Sequence, residues 1–252
     1  MAERAVGDAA ELLRTRPPER LRLKGDRDPA SDVDLAIERS VRAYLRERTP
    51  DIGFLGEEEG GGVPAAGPCW VLDPIDGTVN FLHSYPLCAI ALVLIDGGAS
   101  QAAVIDLPLL GLRYTAVADG GAYAGARRLR GSTTGSLREA LVSIDQYTFG
   151  PDAERVNGRR HELVAALAER VQRVRMIGAS TIDLAWTAEG RLDACVMLGN
   201  KPWDTAAGVL VAREAGVRVL DLDGADHSLV SSGVVAVTAG LETELMAVVS
   251  GR

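Results

Sequence analysis

The run Cys69-Trp70-Val71-Leu72-Asp73-Pro74-Ile75-Asp76-Gly77-Thr78 carries the strongest structural signal in this chain. Its first half is almost wholly apolar and predicts a buried strand over residues 69–73, ended by Pro74, which has no N–H to give a sheet ladder. Asp73 and Asp76 then straddle a strand end. Two carboxylates with the Ile75 carbonyl between them can converge on one point and supply the clustered hard oxygens that Mg²⁺ takes. Gly77 allows close backbone approach, and Thr78 can open a helix whose free N–H groups suit an anion. The plainer alternative is that both aspartates cap a turn and the helix after it.

Elements can be read outward from this point. Apolar runs at residues 87–95, 101–107 and 112–118, separated by Asp96-Gly97-Gly98 and by residues 108–111, predict antiparallel hairpins. Upstream, residues 2–14 read as a helix. The stripe Leu35, Ile37, Val41, Tyr44, Leu45 reads as a second helix ending before Pro50, with a polar loop over residues 24–31 between the two. Downstream, strands at 141–144, 174–177, 192–198, 217–220 and 234–237 alternate with helices at 159–170, 180–189 and 205–215. Layered α+β architecture follows. Composition changes near Gly150-Pro151-Asp152, so residues 1–252 read as a single domain of two lobes, about 1–150 and 151–252.

Two further acidic segments frame the first. Glu57-Glu58-Glu59 follows the apolar pair Phe54-Leu55, and Trp203-Asp204 opens a run of small residues. Taken singly, the first is a solvated acidic turn and the second an N-cap aspartate. Ser31-x-x-Asp34 before an apolar stripe has the form of a capping box.

The composition bounds what the chain can be. With 252 residues, 47% hydrophobic and 25% charged, it has the usage of a packed globular protein, and 4% aromatics leave the core to aliphatic side chains. A net charge of −8 offers no general field for a nucleic-acid backbone, which excludes that polymer as the expected partner. The longest apolar run is too short to span a membrane. Three scattered cysteines, Cys69, Cys88 and Cys195, read as reduced buried thiols in a cytoplasmic chain. His83, His161 and His227 lack ligand spacing and read as structural or surface residues, His83 being the one close to the anion-binding segment.

Taken in chain order, Ser31-Asp32-Val33-Asp34-Leu35-Ala36-Ile37-Glu38, Gly56-Glu57-Glu58, residues 70–81, Gly178-Ala179-Ser180 and Trp203-Asp204-Thr205-Ala206-Ala207-Gly208 resemble the inositol monophosphatase family of Mg²⁺-dependent phosphomonoesterases. The resemblance spans about residues 24–221. It implies the layered αβαβα sandwich, assembly as a homodimer, and a small soluble phosphate ester as substrate. It implies two to three Mg²⁺ per site, held by Glu57, Asp73, the Ile75 carbonyl, Asp76 and Asp204, with Asp73 bridging two. A third, weaker ion would lie near Glu57 and residues 24–31. Glu58 would support the ligands, Glu59 would be solvated, and Gly77 and Thr78 would give backbone N–H groups to phosphate. The implied reaction is direct in-line attack on phosphorus by a metal-activated water, its proton relayed through Thr78 and Asp34. An aspartyl-phosphate route uses Asp-x-Asp-x-Thr, one residue shorter than the spacing here, and is rejected.

The resemblance implies substrate contacts from Gly178, Ala179 and Ser180, and it departs from the family at one place. Members acting on inositol phosphate commonly carry an acid seven positions before the Trp-Asp aspartate, where this chain has Met197, a thioether that cannot hold sugar hydroxyls. Asp193 or Asn200 would have to substitute, and Lys201 would reach a second anionic group or remain an ordinary turn lysine. Inositol monophosphate is the default substrate. Histidinol phosphate, fructose 1,6-bisphosphate, 3′-phosphoadenosine 5′-phosphate and a specialised-pathway sugar or nucleoside phosphate are the alternatives within the family, and a non-catalytic metal-binding scaffold is the alternative outside it.

Overall fold

Strand residues alternate between two faces of a sheet, and here both faces of both large sheets are apolar, which forces helices onto every side. In the computed structural model, residues 1–17, 21–25, 28–61 and 67–251 are described. The chain begins with α1 (Ala2–Thr15), β1 (Leu21–Gly25), β2 (Asp28–Ser31), α2 (Asp32–Arg48), β3 (Gly53–Gly56) and β4 (Gly60–Gly61). Next come β5 (Cys69–Asp76), α3 (Thr78–Leu82), β6 (Ala89–Asp96), β7 (Ala99–Leu107), β8 (Leu112–Val117), β9 (Gly121–Ala124) and β10 (Arg127–Arg128). The remainder is β11 (Leu141–Ile144), α4 (Ala153–Ala168), β12 (Arg173–Arg175), α5 (Ser180–Glu189), β13 (Ala194–Met197), α6 (Pro202–Glu214), β14 (Arg218–Leu220), β15 (Val234–Val237) and α7 (Glu242–Val249).

Among the described residues, β10-β9-β8-β7-β6-β5-β3-β4 form one sheet and β12-β11-β13-β15-β14 a second, with β1 and β2 paired apart. Three apolar cores define the layers. Trp70, Leu72, Ile90 and Leu92 pack with Val6, Leu13, Ile37 and Val41 of α1 and α2. The opposite face of the same sheet, Val71, Ala91, Val93 and Ile105, meets Ile182 and Leu184 of α5 and Val209 and Leu210 of α6, and the same core takes in Cys195, Val219 and Ala236 of the second sheet. The far face of that second sheet, Val142, Ile144, Val196 and Val235, is covered by Leu163 and Leu167 of α4 and Leu245 and Val249 of α7. The order is helix, sheet, helix, sheet, helix, the αβαβα sandwich expected. α5 and α6 pack against both sheets, and β11 precedes the composition change at Gly150. The three cysteines are buried.

Several boundaries differ from expectation. β5 does not stop at Pro74 but runs to Asp76, because its pairing with β6 slips between Asp73 and Asp76: Asp73 faces Ala91 and Asp76 faces Ala89. That bulge takes up the residue that cannot donate and turns both aspartates toward one end of the sheet. The polar loop of residues 24–31 is largely hairpin, with Leu21 opposite Ser31; residues 26 and 27 lie outside the described residues. α4 begins at Ala153 rather than at residue 159, continuing through Gly158, and α6 begins at Pro202, a residue suited to a first helical position.

Candidate active site

The N-terminus of α2 carries a capping box: Ser31 Oγ accepts from the N–H groups of Val33 and Asp34, and Asp34 Oδ2 accepts from Ser31 N at 2.8 Å. Locking the first turn leaves the other Asp34 oxygen facing Thr78, whose Oγ1 lies 3.2 Å from it and 2.9 Å from the Ile75 carbonyl. Capping and site geometry coexist in one residue. The Thr78 hydroxyl has a single proton for these two acceptors, and its lone pairs can receive another. Burial raises the Asp34 carboxyl above its ordinary range, against the hydrogen bonds from Ser31 and Thr78.

Glu57, Asp73 and Asp204 converge from three elements, with one carboxylate oxygen of each within 4.8 Å of the others. Glu57 lies in the turn after β3, Asp73 in the bulged end of β5, and Asp204 in the first turn of α6. Asp204 is therefore not an N-cap, since Lys201 holds that position. Asp76 lies beside them, with Oδ2 accepting the Thr181 N–H at 2.6 Å across 105 residues of chain. Asp73 is pushed well above the carboxylate range, chiefly by burial and then by the charges of Glu57, Asp76 and Asp204. Asp76 is raised to about 7 by burial, opposed by N–H groups of Thr181 and Ser180. A buried Asp73 Oδ1 without a hydrogen-bond partner, inside a ring of repelling carboxylates, fits a hard divalent cation, which would supply the missing contact and relieve the repulsion.

The bend that brings these groups together depends on Gly77, at φ +84°, where a Cβ would stand 2.8 Å from the Leu87 carbonyl oxygen. Asn80, just beyond, donates to the carbonyls of Leu87 and Ile177 at 2.8 and 2.9 Å and ties α3 to the segment that leads into α5. A cavity of about 560 Å³ opens over Glu57, Asp73, Ile75, Asp76, Gly77, Thr78, Gly178 and Asp204. An adjoining cavity of about 360 Å³ is lined by Ser180, Met197, Lys201 and Asp204. Ala179, buried at the start of α5, lines neither. The Lys201 ammonium stands 5.9 Å from the Trp203 ring centre.

Three features were not legible in the sequence. Glu38, fully buried in α2, accepts the backbone N–H groups of Glu58 at 2.8 Å and Glu59 at 3.0 Å, and pairs with Arg42 at 2.7 Å. It thereby holds the turn that presents Glu57. Glu59 is not merely solvated, since its carboxylate pairs with Arg39 at 2.6 Å. Tyr147 and Phe149, from the loop after β11, line the larger cavity. For Glu38 the sequence offered an acid on the apolar side of α2, at the end of the Ser31–Glu38 segment, with nothing to show its partners, and for the two aromatics it offered no signal.

Carboxylates gathered in this way at a strand end, over an open cavity, are the arrangement that a metal-dependent hydrolase uses. The sequence profile of the inositol monophosphatase family matches residues 1–250. The inositol-1-monophosphatase ImpA of Mycolicibacterium smegmatis is 39% identical over 228 residues, covering 90% of this chain and 82% of that protein. The Nus factor SuhB of Xylella fastidiosa is 37% identical over 206 residues, covering 81% and 72%. The solved structure of the Thermotoga maritima IMPase superposes with a TM-score of 0.91 at 26% identity, covering 99% of this chain and 95% of that one. The chain belongs to the inositol monophosphatase family, Mg²⁺-dependent phosphoric monoester hydrolases.

Proposed function

We propose that this chain hydrolyses a small soluble phosphate monoester in the cytoplasm, with inositol monophosphate the first candidate by family membership. The observation that carries the reading is the convergence of Glu57, Asp73 and Asp204 within 4.8 Å, beside a Thr78–Asp34 pair. Glu57, Asp73, the Ile75 carbonyl, Asp76 and Asp204 would hold two to three Mg²⁺, and Glu58 would support the turn that bears Glu57. Bound Mg²⁺ lowers the pKa of water and neutralises charge on the phosphate and the leaving oxygen.

The chain's own residues do the rest. Thr78 Oγ1 accepts a proton from the attacking water while donating toward Asp34, whose burial raises its affinity for a proton. The backbone N–H groups of Gly77 and Thr78 orient the phosphate, and the loop from Gly178 to Ser180, with Met197 and Lys201, bounds the leaving group. Assembly as a homodimer is part of this reading. Among the described residues no helix is long and apolar enough to cross a membrane.

The test is phosphate release from inositol monophosphate, histidinol phosphate, fructose 1,6-bisphosphate, 3′-phosphoadenosine 5′-phosphate and sugar phosphates, with Mg²⁺ and with EDTA. Mg²⁺-dependent turnover of at least one ester is expected. None from any ester, in protein that still binds Mg²⁺, would favour the non-catalytic scaffold.

A further inference from the structure

The smaller cavity has a thioether, Met197, where an acid would grip a polyol, and the polar groups that would stand in for that acid are spent. Asn200 donates to the carbonyls of Ser228, Leu229 and Ser231 and accepts from Thr205, so both ends of its amide are engaged. Asp193 accepts from Ser132 Oγ and Leu141 N, and neither cavity reaches it. Asp145 takes two hydrogen bonds from the buried Arg160 guanidinium and one from Leu198 N, all at 2.9 Å. Neither Asp193 nor Asn200 therefore replaces the missing acid, and the Asp145–Arg160 pair presents no net charge.

Two charges of opposite sign on the same lining are not spent. Asp152 and Lys201 both line the smaller cavity, and Gln146 and Asp204 line it together with the larger one, so the two spaces adjoin at the carboxylate cluster. Each stands at a helix N-cap without doing that position's usual side-chain work. Asp152 precedes α4 with φ −93° and ψ 3°, outside the extended conformation that aims a carboxylate at its own first turn, and its side chain makes no capping bond. Lys201 precedes α6, where its backbone carbonyl accepts from Asp204 N, Thr205 N and Thr205 Oγ1 at 3.0, 3.2 and 3.0 Å. Among the described residues neither side chain has an ion pair or a hydrogen bond, and the Lys201 ammonium has only the Trp203 ring, 5.9 Å away. A cation at a helix N-terminus opposes the macrodipole, whereas an anion brought to Lys201 gains from the ammonium and from the positive end of α6 together.

We propose that Asp152 and Lys201 select a leaving group that carries both an ammonium and a carboxylate on a short carbon chain, so that phosphate esters of amino-hydroxy acids are turned over in preference to polyol phosphates. This rests on the phosphatase reading above and narrows its substrate class. Asp152 takes the ammonium and Lys201 the carboxylate, while Met197, Leu198 and Val156 on the same lining suit the carbon chain. A leaving group of one sign would leave the other charge unmatched, and an uncharged polyol gains from neither. In the reaction water oxygen bonds to phosphorus, the ester P–O bond breaks, one proton of the water ends on the leaving oxygen and the other on phosphate.

The experiment measures kcat/KM in wild type, Asp152→Asn and Lys201→Met for five alkyl phosphates. O-phosphoserine carries both charges, O-phosphoethanolamine the ammonium alone and phosphoglycolate the carboxylate alone, while glycerol 2-phosphate and inositol 1-phosphate carry neither. In the wild type O-phosphoserine is favoured over glycerol 2-phosphate by about tenfold, equivalent to ~1.4 kcal/mol, with about threefold from each charge. Asp152→Asn, which keeps a residue favoured at N-caps, lowers O-phosphoserine and O-phosphoethanolamine about threefold relative to glycerol 2-phosphate and leaves the phosphoglycolate ratio as it was. Lys201→Met lowers O-phosphoserine and phosphoglycolate by the same factor and leaves the phosphoethanolamine ratio as it was. A disturbed helix end would lower all five values together and leave the ratios unchanged, which would overturn the inference. A shift in only one of the two arms, or a wild-type preference for inositol 1-phosphate, would overturn it too. Absence of Mg²⁺-dependent turnover on all five esters would instead remove the phosphatase reading itself.

Discussion

Replacing Glu38 by Gln isolates the link between α2 and the turn that presents Glu57. The carboxylate is fully buried and receives three donors: Glu58 N on Oε2, and Glu59 N and Arg42 Nη2 on Oε1. A glutamine keeps the volume but must turn its NH₂ toward one of these donors, whichever way the amide lies. Hydrogen bonds to a charged group are worth about 1.5–3 kcal/mol, and breaking one partner of a buried pair costs roughly 3–5 kcal/mol. A net loss of about 2–4 kcal/mol is therefore expected, which at this chain length lowers Tm by about 5–15 °C. The functional consequence is separate. The turn that presents Glu57 loses its anchor, and loss of a group that orients a ligand typically weakens metal affinity about 10–100-fold.

The assay is Mg²⁺ dependence of phosphate release at a temperature well below both Tm values, with direct Mg²⁺ titration by calorimetry. Gly56→Ala perturbs the same contact independently, because a Cβ there would stand 2.2 Å from Glu38 Cδ. Both variants should need at least tenfold more Mg²⁺ for half-saturation, in line with that range. If both melt earlier but bind Mg²⁺ within twofold of the wild type, Glu38 serves only the fold and the reasoning fails.

Asp204→Asn should abolish turnover at limiting Mg²⁺ by removing one of three converging carboxylates, and a wild-type kcat under those conditions would refute the ligand assignment. Ca²⁺ and Li⁺ should inhibit by competing for the same oxygens, as the family's chemistry implies, and full activity in an excess of both would contradict a shared site. Met197→Glu should shift preference toward inositol monophosphate with turnover retained, checked by kcat/KM on both ester types. His227 is buried without a hydrogen-bond partner on either ring nitrogen, and burial, with Arg213 nearby, pushes its pKa down to about 4. The folded state thus holds fewer protons than the unfolded one between about pH 6.5 and pH 4, so stability is full above that window and falls on acidification, by up to about 3 kcal/mol. Urea midpoints at pH 7 and pH 5 should converge in His227→Leu relative to wild type, and an unchanged acid loss in the variant would show that another group is responsible.

The features legible in the sequence were those made between near neighbours. Ser31 and Asp34 cap their own helix three residues apart, and alternation from Cys69 to Leu72 sends Val71 to one core and Trp70 and Leu72 to another. The acidic motifs, with their order and spacing, identified the family and pointed to three carboxylates that the fold brings together. Pro74 misled at short range, because proline's missing donor ends a strand only when no bulge absorbs it.

Tertiary structure decided what depends on distant segments sharing a surface. Glu38 meets the N–H groups of residues 20 and 21 positions away, and Asp76 meets Thr181 across 105. Asn200 and Asp193, plausible as sugar ligands when read as letters, are engaged by partners 31 to 61 positions away that only tertiary packing brings near. A side chain's chemistry is a property of its residue type, but whether its polar atoms are spent or available depends on which neighbours the layers deliver. That is why the sequence determined the family and the acids that converge, while which neighbouring polar groups remain available had to wait for the folded chain.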